Sequence, residues 1–124
     1  MLIDFNETKE ITVPGMNKGT GIMTAKMYMD AQGKVIPCAI HKGGFIGVHK
    51  HETSDDINYV LSGNGKATCD GEEEILNPGT CHICKKGSEH SIENTGDKDL
   101  DLLILLALMV YMYELLERKV HYEG

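Results

Sequence analysis

The chain has 124 residues, 41% of them hydrophobic and 25% charged, with a formal net charge of −7. That length sets one domain around a single modest core, and the acidity excludes the basic surface that a nucleic acid or an anionic membrane requires. Fourteen glycines against three prolines point to frequent tight turns, which in so short a chain means β structure.

The opening, MLIDFNETKEITVPG, has neither a basic segment nor a long apolar run. No secretory signal is expected there. The four cysteines, Cys38, Cys69, Cys81 and Cys84, are then expected as reduced thiols of a cytoplasmic protein. CHIC at 81–84 lacks a second pair at zinc-site spacing and reads as small apolar strand residues.

Residues 1–20 carry little pattern. GIMTAKMYM (21–29) reads as a strand, DAQGK (30–34) as a turn and VIPCAIH (35–41) as a second strand, which Pro37 assigns to a sheet edge. FIGVHKH (45–51) and INYVLSG (57–63) follow as strands. KATCDGEEEIL (66–76) is a hairpin turning on Asp70-Gly71, with Glu72, Glu73 and Glu74 as a solvated arm. NPGT (77–80) is a turn. CHIC, HSIEN (90–94) and LDLLILLAL (100–108) complete the strands. Turns every 8–12 residues or so match a sandwich or small barrel. The apolar stretch from 102 is shorter than the ~20 residues that span a bilayer. It is expected to give core and then subunit interface, and periodicity leaves strand or helix open beyond about 107.

The chemistry concentrates in GVHKHETSDDINYVLSGNG (47–65). On a strand, residues two apart share a face, so His49 and His51 point the same way. Asp56 opens the next strand and can add a carboxylate, with capping of the preceding turn as its other role. Asn58 shares the parity of Asp56. His90 follows a glycine loop that returns the chain to the same region. Three imidazoles and one carboxylate suit one divalent transition metal, and four protein ligands leave positions for water or substrate. Asp55, Asn58 and His82 are the polar candidates for a catalytic role beside the ligands; the alternatives are a backbone-satisfied amide for Asn58 and a packed strand histidine for His82.

These residues resemble the cupin family. Its first motif, G(X)5HXH(X)3–4E(X)6G, is matched by Gly43, His49, His51, Asp56 and Gly63, with Asp for Glu; its second, G(X)5PXG(X)2H(X)3N, by Gly79, Lys85, Gly87, His90 and Asn94, with Lys for Pro. Fifteen residues separate the two. The resemblance covers about residues 40–106 and implies an all-β fold, a small antiparallel β-barrel or jelly roll, with metal ligands His49, His51, Asp56 and His90. It implies one Mn, Fe, Ni or Zn ion and a small-molecule ligand or substrate. Dioxygenase, isomerase or epimerase, and decarboxylase chemistry are the expectations, with a non-catalytic sensor of a sugar or organic acid as the alternative. Asp is one methylene shorter than Glu, and Lys85 removes a fixed φ from the loop before His90. In this reading the single domain comprises N-terminal strands in 1–40, a barrel core in 41–106 and a tail in 107–124 that is either strand or a short helix. It forms a homodimer through 21–41 and 102–116.

Overall fold

The computed structural model describes residues 1–107, so the expectations for the tail lie outside the described residues. Eleven antiparallel strands form two facing sheets. The larger sheet runs β1 (Ile11–Pro14), β2 (Ile22–Ala25), β4 (Gly33–Ile40), β11 (Leu100–Ala107), β6 (Asp55–Ser62) and β9 (Cys81–Cys84), with β3 (Tyr28–Asp30) also paired to β4. The smaller runs β5 (Phe45–Lys50), β10 (Glu89–Asn94), β7 (Gly65–Cys69) and β8 (Glu72–Leu76). This is the jelly roll expected, built as two facing sheets and not as a closed barrel.

Strand alternation explains the core. In β4, Ile36, Cys38 and Ile40 point inward, and in β11 Leu100 and Leu102 do the same. Ile46, Ala67, Leu76 and Ile92 meet them from the smaller sheet. The hairpin at Asp70-Gly71 forms as its sequence predicts: both residues take positive φ, +48° and +85°, the backbone of a type I′ turn. Gly63 is fixed by contact as well as by φ, since a Cβ there would lie 2.2 Å from the Asp99 carbonyl oxygen.

The N-terminal region departs from the expectation twice. Ile11–Pro14 is a strand, and 21–29 divides into two, β2 and β3. That division also relocates Pro37. It lies in an interior strand, not at an edge, because β2 covers residues 38–40 of β4 and β3 covers 33–35. Its carbonyl accepts from Lys26 N in the gap between them, so the missing N–H faces the same break and no ladder bond is lost.

Both edges of the smaller sheet are guarded. Thr20 bridges to Phe45 along the outer side of β5, where Gly19 and Gly47 allow the chains to touch: a Cβ on Gly47 would sit 2.1 Å from the Asn17 carbonyl oxygen. At the other edge, β8 presents Glu72, Glu73 and Glu74, charges that discourage edge-to-edge pairing.

Leu102 is fully buried at the centre of the larger sheet. Leu102→Ala is expected to cost about 2–5 kcal/mol of unfolding free energy, and Leu61→Ala, at an exposed site, about 0.5 kcal/mol or less; urea unfolding of both variants checks this.

Candidate metal centre

Both sheets contribute to one cluster. His49 on β5, His51 just beyond it and His90 on β10 come from the smaller sheet, and Asp56 comes from β6 of the larger. His49 and His90 are paired across the β5–β10 ladder, which sets their rings side by side. The three Nε2 atoms form a near-equilateral triangle: 3.0 Å between His49 and His51, 3.1 Å between His51 and His90, 3.0 Å between His90 and His49. Asp56 Oδ2 lies 2.9 Å from Nε2 of His51 and 2.9 Å from Nε2 of His90. The shorter carboxylate therefore reaches the cluster. All four donor atoms lie within 4.8 Å of one another.

The donor set fits a single cation. Nitrogens at this spacing, each about 2.1 Å from a shared point, subtend about 90° there, whereas a tetrahedral set would hold them about 3.4 Å apart. The three nitrogens would therefore hold such an ion from one side, and Asp56, equally near His51 and His90, would complete the set. Burial lowers the basicity of His49 and His51 below the ordinary imidazole value, which favours the neutral form that ligates a metal. Burial pushes the Asp56 carboxyl up, but its hydrogen bond to His90 and the charges of His51 and His90 outweigh this and hold it below the usual range. Two buried oxygens beside the cluster, Asp56 Oδ1 and Asn58 Oδ1, have no hydrogen-bond partner among the described residues.

The histidine Nε2 atoms are aimed from behind. His49 Nδ1–H donates to the Gly47 carbonyl at 2.8 Å, which leaves Nε2 as the lone-pair atom. His90 Nδ1 lies 2.9 Å from His82 Nε2, and His82 Nδ1 lies 2.7 Å from Glu74 Oε1. A ligating His90 Nε2 requires the proton on Nδ1. That proton is donated to His82, whose own Nδ1–H is donated to Glu74. With His90 Nε2 on a metal, a hydrogen-bonded line would thus run from the buried cluster to a half-exposed carboxylate and fix the tautomer of both rings.

Of the three candidates for catalysis, only Asn58 lines the cavity above the cluster. Its Nδ2 donates to the carbonyls of Asp56 and His82. His82 is packed behind His90. Asp55 does not face the cavity: its Oδ1 accepts from Lys86 N at 2.8 Å and its Oδ2 lies 3.6 Å from Lys85 Nζ. The loop before His90, without its proline, is held by this carboxylate and by the bond from Gly87 N to the His51 carbonyl at 2.7 Å. The role of Glu74, read from sequence as part of a solvated arm, was hidden because β8 and β9 lie in different sheets. Asn94 Nδ2 donates to the Ile40 and Lys98 carbonyls, which ties β10 to the turn before β11. The cysteines are free thiols outside the cluster, and alternation on β9 exposes Cys81 while burying Cys84.

A family model for the cupin domain matches residues 38–110. The chain belongs to the cupin family. It is similar to an oxalate-binding protein of Thermotoga maritima, 37% identical over 67 residues, covering 54% of this cupin and 55% of that protein. It is also similar to a 5-nitrosalicylic acid 1,2-dioxygenase of Bradyrhizobium, 30% identical over 100 residues, covering 79% and 44%. This cupin thus spans about half the length of these two relatives. Among solved structures, a predicted oxalate decarboxylase from Thermotoga maritima superposes with a TM-score of 0.81 at 26% identity, over 87% of this chain and 99% of that one.

Glu74→Gln keeps the side-chain size but weakens the acceptor behind His82. It is expected to lower Ni(II) or Co(II) affinity about tenfold, measured by chelator competition, with the melting temperature of the metal-free protein unchanged.

Proposed function

We propose that this cupin is a small-molecule metalloenzyme of the dioxygenase, isomerase or decarboxylase type. His49, His51, Asp56 and His90 are its ligands to one divalent Mn, Fe, Ni or Zn ion. The convergence of three imidazole nitrogens and one carboxylate oxygen on a single point carries this reading. The names of the two relatives, one binding oxalate and one a dioxygenase, support a ligand that chelates through oxygen. A bound ion would act there as Lewis acid and template for adjacent substrate oxygens.

The protein's own residues set the rest. The Gly47 carbonyl and His82 hold the imidazoles in the ligating tautomer. Asp56 supplies negative charge from the opposite sheet. The unpaired Asn58 Oδ1 accepts a hydrogen bond from a ligand hydroxyl or water, and aliphatic walls exclude bulk solvent.

One observation favours the second reading, a binding or sensing module: beyond the four cluster residues, no titratable side chain among the described residues lines the cavity. Turnover would then depend on the ligands and the substrate's own groups.

Protein purified without chelator or affinity metal is expected to carry about one equivalent of a transition metal by elemental analysis, and the His49→Ala/His51→Ala variant to carry none. Absence of metal in both, with no uptake of added Fe, Mn, Ni or Zn, would contradict the enzyme reading.

We also infer a cytoplasmic homodimer with no nucleic-acid or membrane partner. The four free thiols, the acidic charge and the exposed Ile22 and Met29 on the N-terminal strands support it. No helix among the described residues is long and apolar enough to cross a membrane. Sedimentation at micromolar concentration is expected to give a dimer; a monomer would contradict this.

A further inference from the structure

The cavity above the cluster has two unlike ends. At one end stand His49, His51, Asp56, Asn58 and His90, which are all the polar side chains that line it among the described residues. The rest is aliphatic: Ile36, Ile104 and Leu106 from the larger sheet face Ile46 and Ile92 from the smaller. Two further apolar side chains, Ile11 and Met27, line it while remaining 42% and 39% exposed, which places them towards its mouth. The lining described includes no lysine, arginine, serine or threonine.

We propose that this cupin takes a small acid or enol with two adjacent oxygens at the polar end and an apolar body of about one ring along the aliphatic walls. It discriminates against oxalate and sugar acids. The proposal rests on the metal reading above and deepens it by naming the ligand class.

Size, polarity and chelation geometry support it independently. The cavity measures about 120 Å³, below the roughly 150 Å³ of an apolar cavity that takes up benzene, so its size limits the apolar body to one ring at most, partly seated at the mouth. Four protein ligands would leave positions on a six-coordinate ion for two further oxygens, which suits a bidentate oxygen pair. A sugar acid would press its remaining hydroxyls against Ile36, Ile92 and Ile104, and each buried hydroxyl without a partner costs roughly tenfold in affinity. Oxalate, once chelated, would turn its two remaining anionic oxygens towards the same carbons with no cation to meet them.

The test uses full-length protein loaded with Co(II), with metal content measured after desalting and ligand binding followed by the visible absorption of the bound ion. Salicylate, oxalate and galacturonate are titrated in turn. Salicylate is expected to bind at least tenfold more tightly than oxalate, and galacturonate to give no saturable change. Ile104→Thr is expected to weaken salicylate about tenfold, to leave Co(II) uptake unchanged and to leave oxalate binding no weaker; Met27→Gln, at the more exposed position, is expected to act in the same direction on salicylate if the first variant does not fold. Oxalate or galacturonate binding as tightly as salicylate would overturn the ligand class while leaving the metal reading intact, as would a preference that both variants leave unchanged. Failure to take up Co(II) would overturn the metal reading and the proposal with it.

Discussion

Four side chains able to ligate a metal, held tip to tip inside a protein, are the constraint on which the rest of this fold turns. Three imidazole nitrogens 3.0–3.1 Å apart and a carboxylate oxygen 2.9 Å from two of them form an arrangement that gains little from the groups themselves. Burial disfavours charge on His49 and His51, and converging lone pairs repel unless something positive lies between them. The surrounding structure supplies the restraint. The β5–β10 ladder sets His49 beside His90, the Gly47 carbonyl turns one ring, and His82 backed by Glu74 turns another. Asp56 arrives from the opposite sheet because β6 begins where β5 has crossed over. A cation held between the sheets would also lock them to each other and so link its binding to fold stability.

Polarity is segregated sharply around this centre. The smaller sheet provides three of the four cluster residues, while aliphatic side chains of both sheets line the space above. Such walls strengthen every electrostatic interaction at the polar end by excluding water. In the ligand class proposed above, they would also pass selection of a ligand to its apolar body. Relatives named as an oxalate-binding protein and as a 5-nitrosalicylic acid 1,2-dioxygenase carry different activities in their names, as one fold commonly does.

Much of this was legible in the sequence, for identifiable reasons. His49 and His51 announce a shared face through the two-residue period of a strand. The glycine spacing that frames them with Asp56 and His90 is long enough to be specific. Gly43, Gly63, Gly79 and Gly87 all take positive φ, as framework glycines should. What sequence reasoning missed depends on three-dimensional neighbours. Pro37 signals an edge only if both flanks of its strand are continuously paired, and the handover from β2 to β3 removes that condition. Asp55 looked like a site residue because it adjoins Asp56, but alternation turns it towards Lys85 and Lys86, where it replaces the rigidity of the absent proline. Glu74 and His82 belong to strands of different sheets, so no local period relates them. The strand parity of Asn58 and its pairing with His82 were the nearest available signal, and they mattered only once β6 and β9 were known to be neighbours.

The most direct measurement is anomalous diffraction from crystals of protein that has met no chelator, recorded at the absorption edge of whatever metal fluorescence reveals. The prediction is a single peak about equally distant from Nε2 of His49, His51 and His90 and from Oδ2 of Asp56. A metal located elsewhere, or one held by the histidines with Asp56 turned away, would contradict a centre shared between the two sheets.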